Sequence, residues 1–349
     1  MTEQTSSVFP RTIDWQLTYA CQLRCTHCYT ESGRRAARKL PRRDLLRIAD
    51  TLVTMQVECV LIVGGEPLLI PELFDIIERL RAGGLKVVCY TNGLDLTAER
   101  ARQFASLGAE VHVSLDGATP EMNDAIRGRR GAFEETMRGL AILDAVAAER
   151  RAEGHPRFRY GLDVVLVRSN FSQVHDMCAR IASSLRELAA LSLGAVIPIG
   201  LASEEAFAST ELLSGPQLEL LRDPAFIEAL RALVPPSVDN FSVIDNQELQ
   251  VHTKYGAMSE VYRYLMEIEP DGGVRGFAAC EGIIGNMLED PPEELWRRCR
   301  ARVLDPAIVG PLSAVQTPQE WAAAIRGIDR RFASPETIVR LRKRSAVPA

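Results

Sequence analysis

The stretch "TYACQLRCTHCYTESG" (residues 18–33) places three cysteines, Cys21, Cys25 and Cys28, within eight positions. Their spacing is C-x3-C-x2-C, and no fourth cysteine lies close to them in the sequence. A structural metal site usually has four protein ligands, whereas a catalytic site keeps one coordination position open. The triplet therefore predicts a metal centre with an open position. Zinc held by the three thiolates with His27, or thiols that bind no metal, are the alternatives.

Strand-like and helix-like segments alternate around this stretch, which directly follows the extended run "TIDWQLTY". The predicted strands are residues 12–19, 59–63, 86–91, 109–115, 160–167 and 191–199, and the predicted helices are 41–56, 71–84, 97–108, 132–154 and 172–189. Apolar strands that alternate with helices are typical of a parallel sheet covered by helices. Six units are too few for a complete eight-fold barrel. We therefore predict an α/β fold, a partial (β/α)6 TIM-like barrel.

The C-terminal part of the sequence follows a different pattern. Residues 200–258 look irregular and polar, with "LVPPSVDNF" (233–241) as a linker. The run "LMEIEPDGGVRGFA" (265–278) predicts a hairpin that turns at residues 271–273, and Thr317 with Glu320 forms a capping box that opens a helix. We expect the barrel to span residues 10–215 and a smaller α+β extension to span residues 216–349.

Composition limits the class of protein. The chain has 349 residues and a formal net charge of -5, which gives no basic footprint for nucleic acid. No apolar run approaches the roughly 20 residues that cross a bilayer, and no signal peptide precedes the first strand. Eight cysteines, three of them clustered, fit free thiols in a reducing compartment better than a disulfide framework. We expect a cytoplasmic protein without a nucleic-acid or membrane partner.

A second motif, "VGGEP", follows the second predicted strand and contains Gly64, Gly65, Glu66 and Pro67. In barrel-type folds the carboxyl ends of the strands carry the active site, so this motif and the cysteines are expected at the same edge. Glycines allow a backbone to approach a ligand closely, and a carboxylate can accept hydrogen bonds from a cationic amine. The motif therefore favours ligand binding over an ordinary turn.

Together, the cysteine triplet and the GGE motif resemble the radical S-adenosylmethionine (SAM) superfamily, whose CxxxCxxC motif is matched by Cys21, Cys25 and Cys28. The resemblance implies that these cysteines hold a [4Fe-4S] cluster and that S-adenosyl-L-methionine chelates the open iron. Reduction would then yield a 5′-deoxyadenosyl radical that abstracts hydrogen from the substrate. A flavodoxin- or ferredoxin-like electron donor is also implied. A non-catalytic iron–sulfur or zinc protein is a distant alternative.

The same resemblance assigns cofactor contacts to the later strand ends, among them "YTNG" (90–93) and "SLDG" (114–117). "AIRGRRGAF" (125–133) resembles the R-G-x-G-x-F segment of the family, in which Arg127 would clamp the SAM carboxylate and Arg129 and Arg130 are rivals. Glu66 would pair with the SAM ammonium. The expected cofactor contacts are His27, Gly64, Gly65, Glu66, Pro67, Thr91, Asn92, Ser114, Asp116, Arg127, Asn170 and Ile197.

The extension bears on the substrate. Residues 270–299 resemble the opening of the SPASM or twitch extension of peptide-modifying members, but Cys280 and Cys299 are too few for an auxiliary cluster. About eleven residues precede the first strand, so a fused leader-binding domain is not expected. Both features favour a sugar- or nucleoside-type small molecule from natural-product biosynthesis. The alternative is a mycofactocin-like maturase that modifies a ribosomal precursor peptide presented by a carrier protein.

The remaining histidines show no ligand spacing. His112 falls within a predicted strand and is expected to have its hydrogen bonds satisfied there. His252 and the pair Glu204–Glu205 lie where a substrate could sit, but a plain surface position is expected for them.

Overall fold

A single sheet organises the fold in this computed structural model, which describes residues 9–246 and 265–344. The strands in chain order are β1 (Thr12–Gln16), β2 (Cys59–Val63), β3 (Lys86–Thr91), β4 (Glu110–Ser114), β5 (Tyr160–Leu166), β6 (Ala190–Ala195), β7 (Asn240–Ile244), β8 (Leu265–Ile268), β9 (Gly273–Arg275) and β10 (Ile283–Asn286). Their order in the sheet is β10-β9-β8-β1-β2-β3-β4-β5-β6-β7. Neighbours from β8 to β7 pair in parallel, whereas β9 is antiparallel to β8 and to β10. The sheet is thus a partial barrel that does not close, as the predicted fold class requires.

Helices follow most of the parallel strands. They are α1 (Arg42–Met55), α2 (Leu73–Ala82), α3 (Ala98–Leu107), α4 (Pro120–Arg127), α5 (Ala132–Ala152), α6 (Glu205–Thr210), α7 (Gly215–Leu220), α8 (Pro224–Arg231), α9 (Pro292–Val303), α10 (Pro306–Ser313), α11 (Pro318–Phe332) and α12 (Pro335–Arg344). Threonines begin three of them: Thr97, Thr119 and Thr317 each accept a hydrogen bond from a backbone N–H of the first turn. In the described part of the chain, none of these helices is long and apolar enough to cross a membrane.

The hydrophobic core lies between one face of the sheet and these helices. Alternate strand residues such as Ile13 and Trp15 on β1 are fully buried and belong to one cluster with Ile48 and Leu52 of α1. Burying such side chains contributes roughly 1.5–3 kcal/mol each, which is why the strand–helix alternation fixes the architecture. The carboxyl ends of the strands are thereby held together at one edge.

Two expected elements take another form. The predicted helix 172–189 is a run of short 3-10, α and π turns that ends at Ser184, where Ser183 and Ser184 donate to the backbone carbonyls of Ala179 and Ile181. Such side-chain bonds compete with regular helix formation. The stretch 200–246 is also not irregular, because it contains α6, α7, α8 and β7. The rest of the expected irregular stretch, with His252, lies outside the described residues.

The C-terminal extension joins the barrel sheet at both of its edges. β7 pairs with β6, and β8 pairs with β1, so strands after residue 215 continue the sheet on either side. The hairpin of β8 and β9 and the capping box of α11 are confirmed. The division of the chain at residue 215 stays a prediction.

The face of the sheet opposite the helices carries polar side chains. These polar residues alternate along the strands with residues that are buried in the core. They include Asp14, Gln16, His112, Ser114, Asp163 and Glu267. His112 Nδ1 lies 2.7 Å from Asp163 Oδ2, as expected for a histidine with its hydrogen bonds satisfied. Asp14 is the register partner of Glu267, and Gln16 donates to Glu267. Carboxyl groups are therefore brought together on β1 and β8.

Asp14 gives this face a testable pH dependence. Burial, and then the charge of Glu267, raise the pKa of Asp14 from 3.8 to about 8. A raised folded-state pKa stabilises the fold at low pH, and the contribution is lost as the pH rises through about 8. The thermal unfolding midpoint of Asp14→Asn should therefore rise relative to that of the wild type as the pH is raised from about 6 to about 9. The exposed Glu228→Gln serves as the control, and a gap for Asp14→Asn that is equal at both pH values would contradict the account.

Candidate active site

The loop that carries the three cysteines, residues 18–33 and called the cysteine loop below, rests on the backbone of the glycine pair after β2. Gly65 N donates to Thr18 O at 2.7 Å, and Glu66 N donates to Ala20 O at 2.8 Å. A Cβ added at Gly65 would lie 2.0 Å from Ala20 O, and one added at Gly64, whose φ is +120°, would lie 2.7 Å from Thr18 O. Since real Cβ atoms never approach backbone atoms this closely, the glycine pair sets how closely the loop can approach β2.

Glu66 connects the ends of β2 and β3. Its Oε1 accepts hydrogen bonds from Leu68 N at 3.0 Å and Thr91 Oγ1 at 2.7 Å, and its Oε2 accepts one from Asn92 N at 2.8 Å. The carboxylate is completely buried, and burial raises its pKa to about 7 although these hydrogen bonds oppose the rise. A carboxylate offers about four acceptor positions, so Oε2 has capacity for another donor.

The three cysteine side chains lie on this loop and form no disulfide. Cys21 Sγ accepts from Leu23 N at 3.4 Å and from Asn92 Nδ2 at 3.9 Å, while Cys28 Sγ lies 3.4 Å from Thr30 Oγ1. Burial raises the pKa of Cys21 to about 11 and of Cys25 to about 12. The thiolate forms therefore need positive charge nearby, which a bound metal supplies.

A buried charged group stands beside the second cysteine. Arg127 Nη1 lies 3.8 Å from Cys25 Sγ, and Arg127 Nε lies 2.7 Å from Asp116 Oδ2, which is also 2.9 Å from His27 Nε2. Although burial works in the opposite direction, Arg127 and His27 hold the pKa of Asp116 below its usual value. Asp116 Oδ1 accepts from Val165 N at 2.9 Å, so one carboxylate joins β4, β5, α4 and the cysteine loop.

The other expected cofactor contacts lie at the same edge in different environments. Asn170 is buried, and its amide is used inside the protein: it donates to Asp116 O and Val165 O and accepts from Val167 N. Pro67 begins the short turn after Glu66, and Ser114 ends β4 half-buried. Ile197 packs against a C-terminal apolar cluster that includes Trp321. Direct contact of these side chains with a cofactor stays a prediction.

The donor set, three thiols on one loop, fits an iron–sulfur cluster with one open iron. Among the described residues, no group of three or more His, Cys, Asp or Glu side chains is arranged to hold one metal ion. One ion needs its ligands around a single point, whereas each thiolate of a cubane cluster binds a different iron, which spaces the sulfur atoms further apart. Three thiols on one loop leave a fourth iron without a protein thiolate.

The groups beside the loop also fit the methionine part of SAM. Arg127 Nη2 is buried without a hydrogen-bond partner among the described residues, and it lies on the side chain that contacts Cys25. Glu66 Oε2 retains acceptor capacity at the neighbouring strand end. An orphaned guanidinium donor suits a carboxylate, and a free carboxylate position suits an ammonium group.

The cysteines of the extension belong to the packing. Cys280 and Cys299 are both buried, and Cys299 Sγ donates to Arg275 O at 3.4 Å. Burial raises the pKa of Cys280 well above its usual value and that of Cys299 to about 12. Both cysteines lie in apolar clusters, which is typical of inert structural thiols.

Some residues that shape the site were not expected from the sequence. Thr136 Oγ1 donates to Asn92 O at 2.9 Å, and Asn123 Oδ1 accepts from Asp116 N at 3.0 Å. Glu31 of the cysteine loop contacts Arg344 at the far end of the described chain. A polar residue at a buried helix position could have indicated Asn123 and Thr136, but no local signal predicts the contact between residues 31 and 344.

The close approach at Gly65 predicts a loss of both stability and iron. In Gly65→Ala the added methyl group meets a backbone oxygen that cannot rotate away, so we expect a destabilisation of about 1–3 kcal/mol or more. Denaturant unfolding and the iron bound after anaerobic reconstitution measure the two effects. Gly215→Ala is the matched control, because nothing lies within 4 Å of a Cβ added there. Iron binding by Gly65→Ala equal to that of the control would disprove this role.

Comparison with known proteins places part of this chain in a superfamily. The family model of the Radical SAM superfamily matches residues 15–147. The mycofactocin maturase MftC of Mycobacterium tuberculosis is 37% identical over 181 residues, which cover 51% of this chain and 44% of the maturase. The AdoMet-dependent heme synthase of Methanosarcina barkeri is 37% identical over 136 residues, which cover 38% of this chain and 39% of the synthase. The chain thus spans less than half the length of these curated relatives.

A solved structure is similar in fold to most of this chain. Streptococcus suis SuiB bound to S-adenosylmethionine superposes with a TM-score of 0.62 at 15% identity, covering 89% of this chain and 69% of SuiB. At this identity the similarity concerns the fold alone. The matched family model runs from the end of β1 past β4 and includes the cysteine triplet, the GGE motif and Arg127. Residues 15–147 therefore form a radical SAM superfamily domain.

Proposed function

We propose that this chain is a radical SAM enzyme in which Cys21, Cys25 and Cys28 hold a [4Fe-4S] cluster. The observation that carries the proposal is the meeting of the cysteine loop, Glu66 and Arg127 at one edge of the sheet. When bound and reduced, the cluster and SAM supply a 5′-deoxyadenosyl radical that removes hydrogen from a substrate carbon. A flavodoxin- or ferredoxin-like protein is proposed as the electron donor.

The chain's own residues position the cofactor. Gly65 N and Glu66 N hold the start of the cysteine loop, and Glu66 Oε2, which accepts from Asn92 N, would also accept from the SAM ammonium. Arg127 would donate from Nη2 to the SAM carboxylate, while Asp116 fixes the guanidinium by an ion pair at Nε. Fixed charges in a site that excludes water act more strongly than they would in solvent.

For the substrate, we propose a peptide. Relatives named mycofactocin maturase match about half of this chain at 35–39% identity, whereas relatives named AdoMet-dependent heme synthase match 38–56% of it at 26–37% identity. This reverses the order of the two substrate classes expected from the cysteine-poor extension. A small molecule is the second candidate, and the relatives named AdoMet-dependent heme synthase and Fe-coproporphyrin III synthase favour it.

Replacing one loop cysteine tests the chemistry. After anaerobic reconstitution, the wild type should bind about four iron ions per chain and, with dithionite, convert SAM to 5′-deoxyadenosine. Cys25→Ala should lose most of the iron and all SAM cleavage, because one cluster iron loses its thiolate. Cys59→Ala, which removes a half-buried thiol at the amino end of β2, should retain both. SAM cleavage by Cys25→Ala at the wild-type rate would overturn the proposal.

Stimulated SAM cleavage distinguishes the substrate classes. A substrate is expected to raise 5′-deoxyadenosine formation above the rate of the enzyme alone, because its hydrogen is the one consumed. Extract of the host organism, separated into a peptide fraction and a small-molecule fraction, provides the probe. The peptide fraction should stimulate cleavage and lose this effect after protease digestion. Stimulation confined to the small-molecule fraction and resistant to protease would contradict the peptide proposal.

A further inference from the structure

The last described helix reaches back to the cysteine loop. Arg344 at the end of α12 is 6% exposed, and its Nη2 lies 2.5 Å from Oε1 of Glu31, which is 5% exposed. Arg340, one helical turn earlier, also contacts Glu31 and lies 2.6 Å from Glu281. Two arginines of α12, Arg344 buried and Arg340 half-buried, thus contact a carboxylate located three residues after Cys28.

Arg344 also contacts the turn at residues 200–201, which is hydrogen-bonded to the backbone of the third cysteine. Its Nη1 donates to Gly200 O at 3.2 Å, and the next residue, Leu201, donates from N to Cys28 O at 3.1 Å. Gly200 has a φ of +57°, and a Cβ there would lie 2.4 Å from Tyr29 Cα. The turn at residue 200 therefore packs directly against Tyr29, the residue after Cys28. The Arg344 guanidinium connects this turn to Glu31.

The contacts of Arg344 with Glu31 and Gly200, together called the clamp, are more than a surface ion pair because of the backbone conformation at Glu31. Glu31 has a φ of 57°, a conformation that is unfavourable for residues other than glycine and needs support from its surroundings. Its carboxylate is buried, and an unpaired buried charge is strongly destabilising. The guanidinium of Arg344 both neutralises this charge and reaches two acceptors from separate nitrogens, Gly200 O from Nη1 and Glu31 Oε1 from Nη2, whereas a lysine offers one nitrogen.

We propose that Arg344 is a positioning residue for the cluster, because its guanidinium clamps the loop segment carrying Cys28 between Glu31 and Gly200. The cluster itself rests on the proposed function. The α12 helix, although far from the cysteines in sequence, then controls how firmly the third thiolate is held. Arg340 supports the clamp from the preceding turn through Glu31 and Glu281.

Arg344→Lys separates positioning from stability. Lysine keeps the positive charge beside Glu31 and Glu281 but provides one nitrogen in place of the two terminal nitrogens of the guanidinium. We expect a thermal midpoint near that of the wild type. Loss of cluster absorbance to an iron chelator under anaerobic conditions should be roughly two- to tenfold faster, the change expected when one hydrogen bond is lost. Glu31→Gln should accelerate cluster loss similarly from the other side, while Arg342→Gln, exposed on the same helix, should match the wild type.

The outcomes are distinct. Wild-type protein that forms no iron–sulfur absorbance would overturn the proposed function itself. A wild-type cluster that is released at the same rate from Arg344→Lys and Glu31→Gln would overturn the clamp. Equal acceleration by Arg342→Gln would also overturn it, because the effect would then belong to the helix in general. If Arg344→Lys does not fold, Glu31→Gln in the full chain provides the same comparison.

Discussion

The backbone contact between Gly65 and Ala20 is the constraint on which the site depends. It leaves no space for a side chain at position 65 in the turn after β2, and the hydrogen bonds of Gly65 N and Glu66 N fix the start of the cysteine loop. Through Glu66 this turn is tied to the end of β3, so the position of the first cysteine is coupled to the next strand. The site is thus an extension of the sheet edge rather than a separate loop.

Buried charges complete what the backbone contact begins. Asp116 joins Arg127 and His27, so the middle of the cysteine loop is connected to β4 and α4. Each buried ion in such a group is costly to leave unpaired, which makes the arrangement specific even where its net contribution to stability is small. Arg344 and Glu31 extend the same principle to the end of the loop.

Local sequence patterns predicted most of the barrel. Strands β1 to β6 and helices α1, α2, α3 and α5 lie where the alternation of apolar runs placed them, because each packs beside a neighbour in sequence. β7 is a short run that begins with Asn240 in a polar stretch, and it becomes a strand only through pairing with β6. The pairing of β8 with β1 joins residues about 250 positions apart, which no local period can indicate.

The candidate site shows the same division between local and distant information. Motif spacing predicted that Cys21, Glu66 and Arg127 lie at one edge. It could not reveal that the Asn170 amide donates to backbone carbonyls inside the protein or that Arg344 contacts Glu31. The claim at the centre of this account is one iron that lacks a protein thiolate and binds SAM. Mössbauer spectroscopy of protein reconstituted with iron-57, recorded with and without SAM, tests it most directly. We expect SAM to change the isomer shift of one iron site of the cluster and to leave the others unaltered. Identical spectra with and without SAM, at SAM concentrations that saturate binding, would contradict it.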